Sequence, residues 1–446
     1  MSAMAYTGLP THYRHWSFGK AYERTHTLYN AGMTGLPYEM IINTDPSISY
    51  LMVENQMFIH ILTMAHCVGH SDFFKNNRMF AHTDAANALV RFKSAAKYVR
   101  SLIEDPTIGI GDVEKILDAC HAIKYQVPRY PGIKRKTNAE LKQIYAQRLL
   151  DDTTGEYEDL DLEKIPLERD YNLLAFIGEH SRSLKEWQRN LLSISEENSS
   201  YFIPQALTKI MNEGWATYWH STIMTRHGLL PQDVISYADH CAGTLASSPS
   251  RLNPYKLGVE LFRDIEDRWN RGCFGRDYED CDDLVQRRDW NTGAGVGRKK
   301  IFEVRRIHND LTFIDEFLTL DFCRRYKMFQ FGYNEHSDHY EIESREFPKI
   351  KKQLLFSLTN RGQPIIYVRD GNYRNRGELL LEHRYNGPEL KMSYASDAMN
   401  NLYRIWKRPV HISTVMDGNL VVLSFDGSKH SMEKTDEVFD VEADQL

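Results

Sequence analysis

Ile210-Met211-Asn212-Glu213-Gly214-Trp215-Ala216-Thr217-Tyr218-Trp219-His220 is the stretch that decides how the rest of the chain is read. Its composition predicts a helix, on which Glu213, Ala216, Thr217 and His220 share one face, because residues three, four and seven apart stack along a helix. A run so rich in Trp and Tyr is buried on its other sides. A buried carboxylate must be paired, protonated or bound to a metal, since isolated buried charge is very costly. The partner that the sequence offers lies upstream, in Ala65-His66-Cys67-Val68-Gly69-His70. His66 and His70 stand at i and i+4, the spacing at which two imidazoles on one helical turn reach the same metal ion.

Working outward, 446 residues exceed what a single core organises, so two or more domains are expected. Apolar residues at 42% and charged residues at 26% are the proportions of an ordinary globular protein. The first ten residues lack a basic start followed by an apolar run, and no stretch of about 18 apolar residues occurs, so neither a signal peptide nor a membrane span is expected. A net charge of -6 argues against a nucleic-acid surface. The cysteines at 67, 120, 241, 273, 281 and 323 form no Cys-x-x-Cys pair. They read as reduced, mostly buried thiols of a cytoplasmic protein.

The organisation expected along the chain has three parts. Residues 1–46 form an N-terminal arm, with aromatics from Tyr13 to Tyr29 on a short helix and punctuation by Gly32, Gly35, Pro37 and Pro46. Residues 47–329 form a large helical domain. Its first helix is expected to open at Thr44-Asp45-Pro46 and to bury Tyr50, Val53, Met57, Ile61 and Met64 on the way to His66. Residues 151–163, dense in carboxylates, read as a solvated linker. Residues 330–446 form a small C-terminal α+β domain. There, Ile365–Val368, Glu378–His383, Leu390–Tyr394 and Leu420–Ser424 read as strands, and 347–358 and 395–406 as helices. Gly293-Ala294-Gly295-Val296-Gly297 lacks the strand before and the Lys-Ser/Thr after that a phosphate-binding loop requires.

The chemistry follows from the ligands. Zinc hydrolases of the thermolysin kind take two imidazoles from His-Glu-x-x-His and a carboxylate from a second helix, leaving one position for water. His66, His70 and Glu213 match those three ligands, and zinc or another divalent metal is the expected cofactor. The fold class that follows is α+β: a mainly helical body resembling a zincin-like (gluzincin) metallopeptidase core, with the small C-terminal domain behind it. One departure matters. The residue after the first histidine, which in such enzymes takes the proton from metal-bound water, is Cys67 and not Glu. Glu179, His220 and His240 are the candidates for that proton-transfer role. Each also has a structural alternative, as a salt bridge or a hydrogen-bonded core histidine.

Several longer motifs carry a resemblance to a known family. They are Tyr13-Arg14-His15-Trp16-Ser17-Phe18-Gly19-Lys20, Gly69-His70-Ser71-Asp72-Phe73-Phe74-Lys75-Asn76-Asn77, Lys209 to Ala216, Asn253-Pro254-Tyr255-Lys256-Leu257-Gly258, His308-Asn309-Asp310 and Asn375-Arg376-Gly377-Glu378-Leu379. Over about residues 11–425 the chain resembles the stage V sporulation protein R (SpoVR) family. That resemblance implies a bacterial cytoplasmic protein tied to spore-cortex formation, or to stress-linked cell-wall regulation in bacteria that form no spores. It also implies protein partners, a serine-kinase-like protein and the product of a neighbouring operon. Three classes of function are open to the sequence. The reading placed first is a regulator or adaptor on a metallopeptidase-like scaffold that has lost catalysis. The others are an active metal-dependent hydrolase of peptide or cell-wall amides, and a metal-free interaction protein.

Overall fold

The computed structural model describes residues 12–31, 39–130, 132–133, 136–151, 161–246, 252–334 and 337–435. It is an α+β protein, mostly helical, with a five-stranded sheet near the C-terminal end. The chain forms two compact units, each built from separated stretches of sequence. Within the described residues the first takes Tyr22–Leu89 and Pro204–Gly362, and the second takes Thr11–Ala21, Val90–Ile203 and Gln363–Leu446. This differs from the expected 1–46, 47–329 and 330–446. The acidic segment expected to be a solvated linker falls largely on 152–160, outside the described residues.

The first unit is a stack of helices around one aromatic core. Strands β1 (Glu39–Ile42) and β2 (Ile48–Leu51) pair antiparallel, Glu39 opposite Leu51. Helix α1 (Met57–Asn76) follows. The helix expected to open at Pro46 therefore opens eleven residues later. Tyr50, Val53, Met57 and Met64, expected to be buried, are exposed. Alternation in Ile41-Ile42 and Ile48–Leu51 satisfies a strand as well as a helix, and hairpin pairing decides. The buried positions of α1 are Phe58, Leu62, Thr63, Ala65, His66, Cys67, Gly69, His70, Phe73 and Phe74, a broad inward face that carries both histidines.

Helix α2 (Lys209–Ile223) is buried at nearly every position from Ile210 to His220, and Trp215 is fully enclosed. Helix α3 (Pro254–Arg271) packs on its far side. The Asn253 side chain accepts the Lys256 N–H, Pro254 occupies the first turn, and Gly272 closes the helix at φ 77°. Two glycines make the stack possible. A Cβ on Gly214 would lie 2.4 Å from the backbone carbonyl carbon of Gly258, and one on Gly69 would lie 2.7 Å from Ala216 Cα. The glycines beside His70 and Glu213 thus let α1 and α3 press backbone to backbone against α2.

Three further helices complete this unit: α4 (Gly297–Ile307), α5 (Asp310–Phe317) and α6 (Phe347–Leu358). Helix α5 opens with a capping box between Asn309 and Thr312. Its Asp310, fully inside, receives the N–H groups of Ile210 and Met211, each at 2.8 Å, and so caps α2. Strands β3 (Gln330–Asn334) and β4 (His339–Ser344) form a hairpin that belongs to this unit and not to a C-terminal domain.

The second unit holds helices Gly109–Ala122, Asn138–Asp151 and Leu173–His180, with most of Ala88–Glu104 and Glu186–Leu207, and the sheet. The strands are β5 (Ile366–Tyr373), β6 (Glu378–His383), β7 (Val410–Met416), β8 (Asn419–Phe425) and β9 (His430–Lys434), in that spatial order. All neighbours run antiparallel except β6 and β7, which are parallel and joined through α7 (Met392–Trp406). The expected strand Leu390–Tyr394 is instead the entry to α7 and its first residues. Five residues with apolar ends do not reveal their period, and the helix continues through Met399, Leu402 and Ile405. Gln126 ties the sheet to the helices, giving its side-chain N–H to the Pro364 carbonyl and accepting the Ile366 N–H. No helix among the described residues is long and apolar enough to cross a membrane.

Candidate metal centre

Helices α1 and α2 bring His66, His70 and Glu213 to one point inside the first unit. His66 Nε2 and His70 Nε2 lie 3.0 Å apart, and Glu213 Oε2 is 3.3 Å from the first and 3.4 Å from the second. All three side chains are buried. Donors held about 2.0–2.1 Å from a tetrahedral zinc stand about 3.3–3.4 Å from one another, so the tripod has the dimensions of such a site. Among the described residues, this is the group of His, Cys, Asp and Glu side chains close enough to hold an ion.

The atoms behind the tripod fix which face each ligand presents. His70 Nδ1 donates to Asn212 Oδ1 at 2.8 Å, which turns Nε2 inward toward the tripod. His66 Nδ1 lies 3.0 Å from His220 Nδ1, so His220 orients His66 from behind. Lys209, one turn before Glu213, binds Glu213 Oε1. Glu213 Oε2 is buried and has no hydrogen-bond partner. Two imidazole nitrogens and a carboxylate oxygen thus face one another in a buried space. Such an arrangement is costly unless a cation sits among them.

The acid–base behaviour of the cluster follows from burial and these neighbours. Burial opposes charge on His70, but the Glu213 carboxylate outweighs it and raises the imidazole above its ordinary value. Burial likewise works against Glu213, yet His70, His66 and Lys209 together hold it well below the usual carboxylate range. A pull that strong toward positive charge suits a divalent cation as well as a proton. His66 is lowered by burial and by His70. His220 is pushed down to about 2 by burial, then by His66, and stays neutral.

Two residues that sequence reasoning did not single out stand at the rim. Glu39, on β1, has its Oε1 3.9 Å from His66 Nε2, and burial pushes its carboxyl up to about 7. Tyr255, in the first turn of α3, stacks its ring 6.1 Å from that of His66 and engages Glu213 through its hydroxyl. Burial, Glu213 and Glu39 raise its phenol, so the hydroxyl keeps its proton. Lys209 was legible in principle, four residues before Glu213 on the same helix. Glu39 was not, because it sits on a short strand within a stretch read as an arm.

The candidates for proton transfer are corrected by their positions. Glu179 belongs to the second unit, is 77% exposed at its side chain and lies 3.9 Å from His180. A carboxylate so open to water is not part of the buried cluster. His220 is a support behind His66, too strongly neutral to carry a proton near pH 7. His240, half-buried on helix Val234–Thr244, lies close enough to His220 to lower its pKa but is not among the groups that meet. Cys67 is buried against the Ser49 hydroxyl, and burial pushes its thiol up to about 11.

The remaining motif residues brace the site. Asp72 accepts the Trp215 indole N–H at 2.8 Å and Arg305 Nη1 at 2.7 Å, joining α1, α2 and α4. Asn77 donates to the carbonyls of Arg305 and His308 at 2.6 and 2.8 Å. Every stretch of the first unit that carried the resemblance from Gly69 to Asp310 thus touches the tripod or holds its helices.

Comparison with known proteins agrees with that pattern. A family model described as "SpoVR like protein" matches residues 1–363, and one described as "SpoVR-like C-terminal domain" matches 364–417. The chain belongs to the SpoVR family. The border between the two SpoVR models falls within a residue of the border at which the second unit resumes, Gln363. A SpoVR-family chain is also similar in sequence to "Uncharacterized protein YcgB" of Escherichia coli (strain K12), at 32% identity over 444 residues, 91% of this chain and 84% of that protein. No solved structure matches.

Proposed function

We propose that this SpoVR-family chain is a zinc-dependent hydrolase of amide bonds in peptide or cell-wall material, with His66, His70 and Glu213 holding the ion on a zincin-like helical body. The observation that carries the reading is the buried Glu213 Oε2, which has no hydrogen bond and faces two imidazole Nε2 atoms at 3.3 and 3.4 Å. Two imidazoles and a carboxylate suit zinc, and three protein donors keep one position for water. When bound, the ion would acidify that water and polarise a carbonyl. The chain's own residues do the rest. Asn212 and His220 hold the imidazoles in register. Lys209 occupies Glu213 Oε1 and leaves Oε2 for the ion, and its half-exposed side chain marks where the cluster meets solvent. Tyr255, protonated and beside the ligands, is placed to donate to an oxyanion.

A second reading has its own observation. Cys67 occupies the position of the usual proton-accepting glutamate, and its thiol is too weak an acid to serve there. That favours a metal-holding scaffold that regulates cell-wall enzymes through protein partners, the serine-kinase-like protein among them. The family resemblance, with its link to the spore cortex, is compatible with both. The test is metal analysis of untagged protein after zinc loading, followed by hydrolysis of a panel of peptides and muropeptides. About one zinc per chain, lost in Glu213→Ala, with cleavage of a panel member, is the expected outcome. Native protein that retains no zinc would overturn both readings, and zinc retention without cleavage would favour the regulator.

A further inference from the structure

Cys67 projects from α1 toward the β1–β2 hairpin, where it meets the Ser49 hydroxyl and the field of Glu39. The hairpin therefore covers the side of α1 on which a glutamate at position 67 would stand. Glu39 comes to that side from the other direction. Its Oε1 is 3.9 Å from His66 Nε2, against 3.0 to 3.4 Å among the three tripod atoms, so it stands beside the tripod and outside it. Its side chain is 19% exposed, and among the described residues its carboxylate makes no hydrogen bond. A largely buried carboxylate next to a second carboxylate, with only the 3.9 Å approach to His66 as an ion-pair contact, is costly to hold charged in the fold. Its position is fixed all the same, because Glu39 is paired with Leu51 through the strand.

We propose that Glu39 is the proton-accepting carboxylate of the site, delivered by the hairpin in place of the residue that Cys67 does not provide. The inference rests on the hydrolase reading above. A water molecule at the tripod gives one proton to Glu39 as its oxygen bonds to the substrate carbonyl carbon. The carbon–nitrogen bond then breaks, and Glu39 returns the proton to the leaving nitrogen. One amide and one water yield one carboxylic acid and one amine, and Glu39 ends as it began.

The test compares zinc-loaded native protein, Glu39→Gln and the double variant Glu39→Gln/Cys67→Glu. Bound zinc is measured first. Acetohydroxamate affinity is measured next, because its N–OH must pass a proton to a nearby base before it chelates. Loss of that charge-assisted contact corresponds to about tenfold or more in affinity. The expected result is full zinc content in Glu39→Gln, hydroxamate binding weakened at least about tenfold, and hydrolysis of any panel substrate reduced about 100-fold or more. Recovery of hydroxamate binding in the double variant would support the exchange of positions. Loss of zinc from Glu39→Gln would make Glu39 a ligand and overturn the proposal. Unchanged zinc, hydroxamate binding and hydrolysis would overturn it as well while leaving the metal centre intact. Native protein without zinc would instead defeat the hydrolase reading itself.

Discussion

Replacing Gly214 with Ala asks whether the contact between α2 and α3 sets the geometry of the centre. The new methyl would meet Gly258 C and Cα at 2.4 and 2.5 Å and Val259 N at 2.8 Å. Carbon atoms rest at about 3.5–4.0 Å, so the helices must separate by about 1 Å. The obstacle is backbone, and no side-chain rotation relieves it. Overpacking of this kind costs about 1–3 kcal/mol, and a backbone clash belongs at the upper end. Alanine returns about 1 kcal/mol of helix propensity, leaving about 2 kcal/mol of net destabilisation. The same displacement moves Glu213, the preceding residue, relative to imidazoles that now lie 3.3 and 3.4 Å away. Urea unfolding followed by tryptophan fluorescence measures the first effect, and zinc affinity by competition with a chromophoric chelator measures the second. Gly111→Ala is the control, since a Cβ there meets nothing within 4 Å and should leave the protein as stable or up to about 1 kcal/mol more so. If Gly214→Ala unfolded at the native urea concentration and bound zinc as tightly, the close approach would not govern the site.

Two further outcomes are expected. Asp310→Ala leaves the N–H groups of Ile210 and Met211 buried without an acceptor, and should destabilise the protein by about 2–4 kcal/mol, with Asp310→Asn milder; equal urea midpoints for native and Asp310→Ala would show that the cap is not needed. Stability should also fall as the solution is acidified from pH 6.5 toward pH 4. Burial lowers His12 and His383 to about 4 and His121 to about 3 in the folded chain, so the unfolded chain takes up three protons that the folded chain refuses. Each contributes stability that is present above pH 6.5 and lost as pH falls toward its folded value, roughly 4 kcal/mol per pH unit for the three together at most, and Glu39 and Asp310, raised by burial to about 7, offset part of it. Urea midpoints that do not change between pH 7 and pH 5 would contradict this.

The tripod was legible because its parts follow local rules. An i, i+4 histidine pair and a glutamate in an aromatic helix need only the helical period to be placed on inward faces, and the structure brings them within 3.4 Å. The helix at Phe347–Leu358 and the strands at Glu378 and Leu420 were legible for the same reason. Glu39 and Tyr255 were hidden because their approach to the tripod is a tertiary fact, set by hairpin and helix packing far away in sequence. The unit borders were hidden too. Nothing in the composition at Leu89, Ile203 or Gly362 marks a crossing from one compact body to the other. Glu179 was named to fill the role that Cys67 leaves open, and its carboxylate turns outward to solvent.

The interleaving of the two units has a consequence for synthesis on the ribosome. Glu213 follows His70 by 143 positions and Asp310, which caps the glutamate's helix, follows it by 240. At about 5–20 residues per second, roughly 7 to 29 s separate the emergence of the histidines from that of the carboxylate. Throughout that interval the nascent chain carries the two histidines without the carboxylate that faces them in the finished fold. The whole of the second unit's central stretch, Val90–Ile203, is made in between and must begin to fold without its C-terminal strands. A ribosome stalled between residues 70 and 310 therefore leaves a chain with both histidines but without the full set of residues that place them.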